Sequence, residues 1–397
     1  MRSRTSSGDK AEIWGPVQSA GGTREDVAKT LGIPQENVTV NVTLLGGGFG
    51  RKSKCDYAIE AALLSKELGA PVKVQWTRED DVRNGFLHTV SVERIEAGLD
   101  KSGKVTAWRH RSVAPSIAST FAARYGASGA VRTRHGACRH ALRDRQRPVR
   151  ESGSGRAYPH RLVPLRIEHP ARLRGAVHGR RTRTGHQTRS KGHAAGADRL
   201  VRGSSSSIPV KDLWNYGEPY DSYPIDTARL RKVVELVADK GGWGRSVPKG
   251  HGLGIAAHRS FVSYIATIVE VAVDDKGKLT VPRVDTAIDC GTYVNPERIQ
   301  SQIEGAAIMG MSLAKHGAIT FKDGKVQQGN FDDFPVIRID ESPAVTNVYI
   351  VPPGPDTPPS GVGEPGVPPF APALINAIFA ATGKRIRALP IGKQLEA

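Results

Sequence analysis

The pattern of apolar and polar positions over the first 115 or so residues predicts short, well-bounded elements. In "GGTREDVAKTLGIP" the apolar spacing predicts a helix with Thr23 as N-cap, Asp26 as its capping-box partner and Gly32 at its C-terminal end. Further along, the pattern predicts a helix in "CDYAIEAALLSKELG" ended by Gly69, strands in "VTVNVTLL" and "PVKVQWTR", and a hairpin around "DKSGK". Helices and strands mixed in this way indicate an α+β chain.

This regularity is lost between about Tyr125 and Ser205 and then returns. The later pattern predicts three helices, in "DTARLRKVVELVADKGG", "NPERIQSQIEGAAIMGMSLAKHG" and "APALINAIFAATGK". It also predicts a long hairpin in "SYIATIVEVAVDDKGKLTVPRVDTAIDCG", a short hairpin that turns at "KDGK", and a strand in "TNVYIV". We therefore expect three parts, namely residues 1–125, 126–203 and 204–397. A chain of 397 residues is long enough for two to three domains with buried cores.

Most of the net positive charge of the chain lies in the irregular part. The formal net charge is +18, and Val131 to Arg202, called here the basic window, holds 19 Lys and Arg residues against four Asp and Glu. Seven of the 12 histidines also lie in the basic window. Such a charge is typical of nucleic-acid binding, but the basic window has almost no lysine, no interleaved aromatic residues and no recognisable binding motif. We therefore expect no nucleic-acid partner.

The cysteines predict neither a disulfide framework nor a metal cluster. Cys55, Cys138 and Cys290 are odd in number, widely spaced and without a CxxC motif. A reducing compartment is the default for such a chain. No apolar run approaches the roughly 20 residues of a membrane span, and no hydrophobic region follows the first arginines.

Two glycine-rich stretches could carry chemistry. In "LLGGGFGRKS" a strand runs into consecutive glycines, whose bare backbone N–H groups can approach a phosphate or an oxyanion. The spacing fits neither standard nucleotide fingerprint, so a simple tight turn is an equal alternative. In "PPSGVGEPGVPPFAPAL" the carboxylate of Glu364 lies in a loop stiffened by prolines, where it could act as a general base or be only a solvated turn residue.

Taken together, four stretches resemble the molybdenum-binding large subunit of the xanthine oxidase/aldehyde oxidase family. In chain order they are "WGPVQ", "LLGGGFGRKSKCDYAIEAALLSKELGAPVKVQWTREDD", "DCGTYVNPERIQSQIEGA" and "GVGEPGVPPFAPALINAIFAATGKR". The resemblance is strongest to the branch of two-subunit isoquinoline 1-oxidoreductases and aldehyde dehydrogenases, and it covers about residues 10–120 and 205–397. It implies an α+β fold, a partial molybdenum-cofactor-binding domain of the aldehyde oxidase/xanthine dehydrogenase type.

The resemblance also implies roles for individual residues. Glu364 matches the active-site glutamate that acts as general base, and Gly363 beside it matches a cofactor-binding position. Gln302 in "SQIEGA" matches a contact to the pterin, and Gln18 matches a glutamine near the apical oxo ligand. The loop whose backbone faces the oxo group and the cofactor phosphate corresponds to Gly47, Gly48, Phe49 and Gly50.

In this family the pterin dithiolene, and no side chain, ligates the molybdenum, so no protein metal ligand is expected. The implied cofactor is molybdenum-molybdopterin, in its cytosine dinucleotide form. Electrons would leave through 2Fe-2S clusters on a separate small (alpha) subunit, because this chain lacks the cysteine motifs for such clusters. The implied substrate is a small molecule, an aldehyde or an N-heteroaromatic compound. The sequence does not decide between a cytoplasmic and a periplasmic location, because some members of this branch carry twin-arginine signals.

The sequence departs from the family in length and in the basic window. Large subunits of this branch are roughly twice as long, and the difference lies on the N-terminal side. A "GWFRS"-like motif is expected on the substrate side of the metal, and it is missing here. A shift of one base across "HRLVPLRIEHPARLRG", residues 160–175, can yield "IGWFRSVSNIPHAFA" with suitable codons, and two further segments give family-like sequence at the same offset. Residues 126–203 are therefore interpreted as a frameshifted reading.

Three functions stay open at this point. The chain is a subunit of a molybdenum hydroxylase, an inactive product of a damaged or misread gene, or, remotely, a basic nucleic-acid-binding protein.

Overall fold

A computed structural model describes residues 2–6, 9–87, 90–103, 105–114 and 215–396. The chain forms two compact units, one of Met1–Phe86 with Gln328–Asn330 and the other of Leu87–Gln327 with Phe331–Ala397. The basic window, Cys138 and the expected boundaries near residues 126 and 203 lie outside the described residues.

The first unit is a four-stranded sheet with packed helices. Its strands are β1 (Arg2–Ser6), β2 (Lys10–Gly15), β3 (Val38–Val42) and β4 (Val72–Lys73), and its helices are α1 (Ala20–Leu31), α2 (Asp56–Leu68) and α3 (Arg78–Asn84). The strand order is β3-β2-β1-β4. β2 and β3 are parallel and joined through α1, whereas β1 is antiparallel to both of its neighbours. Apolar residues of β2, β3, α1 and α2 form one buried core.

Helix α1 begins earlier than its sequence predicts. Ser19 is the N-cap, and its Oγ accepts a backbone N–H of the first turn at 3.3 Å. The prediction of Thr23 as N-cap was wrong, because Thr23 is buried inside the helix and donates its hydroxyl to the Ser19 carbonyl at 2.8 Å. Asp26 is consequently no capping-box partner. The predicted end is confirmed by Gly32, which has a φ of 72°.

The second unit contains a hairpin and a four-stranded sheet with three helices. The hairpin is β5 (Val92–Leu99) with β6 (Val105–Val113), as predicted around "DKSGK". The sheet has the order β12-β9-β8-β7, formed by β7 (His251–Ser260), β8 (Ser263–Val273), β9 (Leu279–Asp289) and β12 (Val345–Ile350). The helices are α4 (Thr227–Lys240), α5 (Pro296–Lys315) and α6 (Val367–Thr382), and β10 (Phe321–Lys322) pairs with β11 (Lys325–Val326).

Strand β8 is buried on both faces because helices cover both sides of this sheet. Its even-numbered residues Tyr264, Ala266 and Ile268 pack in one cluster with apolar residues of α4. Its odd-numbered residues Val269 and Val271 pack in another cluster with α5 and α6. Since successive side chains of a strand point to opposite faces, this explains why β8 carries apolar residues at both even and odd positions.

The sequence did not predict strand β7. Its glycines explain why, and they also explain how the strand packs against a helix. A Cβ on Gly252 would lie 2.3 Å from the Ala377 carbonyl oxygen, and one on Gly254 would lie 2.1 Å from the Ala373 carbonyl oxygen. Helix α6 therefore lies directly on the backbone of β7. Glycine is unfavourable in strands, so the pattern alone argued against a strand here.

Two other sequence expectations have clear outcomes. The strand expected in "PVKVQWTR" is reduced to Val72–Lys73, the strand β4. In the described part of the chain, no helix combines the length and the hydropathy that crossing a bilayer requires.

Candidate active site

In the first unit, Gln18 lies against the glycine loop that the sequence analysis singled out. The side-chain oxygen of Gln18 accepts the backbone N–H of Lys52 at 3.1 Å, and the backbone N–H of Gln18 donates to the Lys52 carbonyl at 2.9 Å. A Cβ added to Gly48 would lie only 2.3 Å from Cδ of Gln18. Glycine at this position therefore lets the glutamine lie on the loop, and the structure brings these two predicted site residues together.

The loop itself is a four-residue turn from Gly48 to Arg51. The Arg51 N–H donates to the Gly48 carbonyl at 2.8 Å, and the two central residues have positive φ, 48° for Phe49 and 81° for Gly50. Positive φ is uncommon for a bulky residue such as phenylalanine and costs about 1–3 kcal/mol. Phe49 remains half-exposed, so burial of its ring does not explain this conformation.

The loop suits a bound anion. Within the described residues, the N–H groups of Gly46 to Gly50 have no protein acceptor. A Cβ on Gly47 would lie 2.9 Å from the Phe49 ring, so a larger residue there would require this half-exposed ring to shift. Unpaired backbone donors on a glycine turn are the kind of cradle that binds phosphate or oxo groups. The residues present therefore fit the phosphate and oxo groups of a molybdopterin cofactor.

In the second unit, the loop before Glu364 is tied to the ends of two sheet strands. The Ser360 N–H donates to the Cys290 carbonyl at 2.9 Å, and its hydroxyl donates to the same oxygen at 2.8 Å. Ser263, at the start of β8, donates its hydroxyl to the Gly361 carbonyl at 2.6 Å. The Gly361 N–H donates to the Phe261 carbonyl at 3.0 Å. These bonds make the loop a rigid continuation of the sheet.

The same loop packs on the helix that carries Gln302. Gly366 is buried, and a Cβ at this position would lie 2.5 Å from Cβ of Ala306 and 3.4 Å from Cδ1 of Ile303, both on α5. Gln302 is the neighbour of Ile303 on this helix, and it is exposed, as is Glu364. The close approach of Gly366 to α5 thus holds the predicted base-bearing loop beside the helix of the predicted pterin contact.

Gly363, between these anchors, is exposed and has nothing within 4 Å of an added Cβ. Space beside this residue is therefore available to a group from outside the protein.

A buried ion pair fixes the end of β9, and the sequence analysis missed it. Arg229 of α4 donates both Nε and Nη2 to the carboxylate of Asp289, at 2.9 and 2.6 Å. Asp289 also accepts the Gly291 N–H at 3.2 Å. The pair connects residues 60 positions apart, so no local pattern could have indicated it. The Asp-Cys-Gly run at the end of a strand was the only available signal.

A cavity of about 300 Å³ lies beside the loop that leads to Glu364. Aromatic rings form much of its wall, and Tyr216 stacks on Phe261 with ring centroids 5.0 Å apart. Tyr223 also lines the cavity, and its hydroxyl donates to the Pro359 carbonyl at 3.0 Å. Glu218 and Ser360 also line the cavity, so its wall is both aromatic and polar.

The two described cysteines are buried thiols. Burial, with a hydrogen bond to Asp26, raises the pKa of Cys55 to about 12, and burial, with the nearby Asp289 charge, raises the pKa of Cys290 to about 11. Both thiols therefore stay protonated near neutral pH. Among the described residues, no group of three or more His, Cys, Asp or Glu could hold a metal ion.

Comparisons with known proteins identify the family of this chain. Residues 3–129 and residues 235–343 each match a model of a molybdopterin cofactor-binding domain. The chain belongs to the molybdopterin-binding subunits of the xanthine oxidase family, which are molybdopterin-dependent oxidoreductases. The family resemblance drawn from the sequence is confirmed.

Two named relatives align with most of this chain. It is 29% identical over 381 residues to the membrane-bound aldehyde dehydrogenase (pyrroloquinoline-quinone) of Gluconacetobacter polyoxogenes, covering 92% of this chain and 47% of the relative. It is 28% identical over 390 residues to isoquinoline 1-oxidoreductase subunit beta of Brevundimonas diminuta, covering 96% and 46%. The chain thus spans about half the length of these relatives.

Solved structures share the fold. The aldehyde oxidoreductase of Desulfovibrio gigas superposes with a TM-score of 0.70 at 15% identity, covering 99% of this chain and 58% of the other. Quinoline 2-oxidoreductase of Pseudomonas putida 86 gives a TM-score of 0.68 at 12% identity, covering 99% and 72%. The predicted α+β fold of the aldehyde oxidase type is confirmed.

Proposed function

We propose that this chain is part of the large subunit of a molybdenum hydroxylase that oxidises an aldehyde or an N-heteroaromatic compound, with water as the oxygen source. One observation carries the proposal: the buried contact of Gly366 with Ala306, which holds the Glu364 loop beside the Gln302 helix. The names of the relatives support the substrate class, since they include an aldehyde dehydrogenase and an isoquinoline oxidoreductase.

Two groups of residues are assigned to the cofactor, which we take to be the cytosine dinucleotide form of molybdopterin. The turn around Phe49 offers its backbone N–H groups to the oxo and phosphate groups, with Gln18 lying on the turn. Gln302 and Gly363 offer an amide and an open backbone surface on the second unit. When bound, the cofactor supplies the oxygen that enters the substrate and accepts two electrons.

Glu364 is assigned as the general base. Its loop is held by hydrogen bonds on one side and by the Gly366 contact on the other, so the carboxylate is presented from a fixed backbone. A positioned carboxylate can take up a proton during the reaction, which typically contributes 10²–10⁴-fold to the rate. The cavity beside the loop is assigned to the substrate, with the rings of Tyr216 and Phe261 in its wall.

The partner is proposed to be a small subunit with 2Fe-2S clusters. In support, the three cysteines of the sequence are widely spaced and lack the motifs that ligate such clusters. Electron transfer is assigned to that partner, and the name of the Brevundimonas relative, a subunit beta, supports an enzyme of more than one subunit.

We also propose that residues 126–203 are a frameshifted reading. In support, the first family match ends at residue 129 and the second begins at residue 235, so both leave out the basic window. The test is to resequence the gene and to identify tryptic peptides from the purified protein. An intact single reading frame, confirmed by peptides from this segment, would contradict the frameshift. A frameshift would favour the alternative of an inactive product.

The function is tested by metal analysis of the chain coexpressed with a small subunit. Stoichiometric molybdenum is expected, and it would reject the inactive product. Molybdenum-free protein would contradict the proposal, as would a bound quinone, the cofactor that the name of the Gluconacetobacter relative specifies.

A variant pair then tests the assigned base. Glu364→Gln is expected to keep the metal and to lose at least about 100-fold in turnover. Glu235→Gln, at an exposed position of α4, is the matched carboxylate-to-amide control and should keep both the metal and the wild-type turnover. Equal turnover by the two variants would exclude Glu364 as the base.

A further inference from the structure

The guanidinium of Arg51, directly after the glycine turn, lies in a box of aromatic rings. Its Cζ lies 5.6 Å from the ring centroid of Tyr57, 5.7 Å from that of Trp76 and 5.1 Å from that of Phe86. The box is itself held in place, since the indole N–H of Trp76 donates to the Glu60 carboxylate of α2 at 2.8 Å. Cation–π contacts to three rings favour one position of this charge.

A carboxylate completes the box. Arg51 donates Nη1 and Nη2 to the two oxygens of Asp56 at 2.8 and 2.9 Å, a bidentate pair with side chains 23% and 29% exposed. Its Nε is buried without an acceptor in the part of the chain that the structure describes. The rings and the carboxylate, rather than complete hydrogen bonding, therefore hold this side chain. Lysine has no planar fork and cannot reproduce the arrangement.

The backbone connects this side chain to the predicted cofactor residues on both sides. The Arg51 N–H closes the turn on the Gly48 carbonyl at 2.8 Å. The next residue, Lys52, exchanges two hydrogen bonds with Gln18, one through the backbone N–H and one through the carbonyl of Lys52. Movement of residue 51 would therefore release both the glycine turn and the glutamine.

We propose that Arg51 is a positioning residue that fixes the glycine turn and Gln18 in the shape that receives the cofactor. It acts through the backbone and does not touch the cofactor. The proposal rests on the proposed function for what the turn binds, but the positioning itself needs no cofactor. It also explains how Phe49 is kept at positive φ, because the bidentate pair and the three rings fix the end of the turn.

The test is hydrogen exchange of the full purified chain without cofactor, with peptides covering residues 46–53 and residues 57–68. Arg51→Lys is expected to speed exchange of the three hydrogen-bonded amides of residues 51–53 about 10-fold while α2 exchanges as in the wild type. Phe86→Leu removes one ring and keeps the Asp56 pair, so it should act in the same direction if Arg51→Lys fails to fold. Arg24→Lys is the matched control, because Arg24 of the same unit donates to the Val38 carbonyl.

Unchanged turn exchange in Arg51→Lys and Phe86→Leu would overturn the proposal. So would acceleration spread evenly over the unit, since that is a general loss of stability. Molybdenum content after coexpression is the second measurement, and Arg51→Lys should carry clearly less metal than Arg24→Lys. A wild-type chain without molybdenum would contradict the proposed function, whereas the exchange data alone decide the role of Arg51.

Discussion

The contact between Gly366 and Ala306 gives the sharpest prediction, because one methyl group can be moved across it. Gly366 has a φ of −68° and a ψ of −25°, a conformation that alanine also adopts, so Gly366→Ala adds no backbone strain. The new Cβ would instead lie 2.5 Å from Cβ of Ala306, far inside van der Waals contact. The loop and α5 must separate to make room.

The magnitude follows from packing. Overpacking of this kind costs about 1–3 kcal/mol of unfolding free energy. Ala306→Gly costs about 1 kcal/mol in helix propensity and about 0.8 kcal/mol for the lost buried methyl group. In the double variant the clash is absent, so the total should be about 2 kcal/mol. The double variant should therefore be about 1–3 kcal/mol more stable than the sum of the single variants predicts.

Urea unfolding, followed by circular dichroism, measures these four free energies. Gly363→Ala is the control on the same loop, since nothing lies within 4 Å of its added Cβ, and it should stay within about 0.5 kcal/mol of the wild type. Additive effects of Gly366→Ala and Ala306→Gly would refute the reasoning. The loop and α5 would then not be in contact as described.

Two further predictions concern titratable groups. Burial raises the pKa of Glu341, but hydrogen bonds from Lys315 and His316 more than offset this and hold the pKa below its ordinary value. Its contribution to stability is therefore present above pH ~4.3 and is lost as pH falls through the lowered pKa. Glu341→Gln should cost about 0.5–1 kcal/mol at pH 7 and nothing near pH ~2 in urea titrations, whereas a pH-independent cost would contradict the assignment. With pKa values raised to about 12 and about 11, Cys55 and Cys290 should be alkylated at pH 8 only after unfolding, which peptide mass spectrometry measures. Labelling of either thiol in the native protein would contradict their burial.

Much of the local structure could be predicted because its causes are local. Gly32, Gly69 and Gly383 end helices in the left-handed conformation, and Asn295 caps α5 ahead of a proline at its first turn. These signals act within one turn of helix and need no tertiary contact. The start of α1 was predicted wrongly for a related reason. Ser19 and Thr23 are both good N-cap residues, and only the burial of Thr23 decides between them.

Part of the candidate site could be predicted from ordered motifs, and part could not. The motifs indicated Gln18 and the glycine turn, and the structure brings them together through Gly48 and Lys52. They did not indicate Arg51, because its partners are spread over residues 56–86. An arginine in a polar stretch gives no sign of the aromatic rings that will surround it.

The sequence by itself determined the family and the alternation of helices and strands, since these depend on short-range order and residue type, and it predicted the residues that are assigned to catalysis. Only the tertiary structure decided which glycines serve packing and which leave open space. Gly254 lies under helix α6, Gly366 lies on α5, and Gly363 is open. The physical reason is that the need for glycine arises from atoms distant in sequence, which would lie within 2–3 Å of an added Cβ once the folded chain is close-packed.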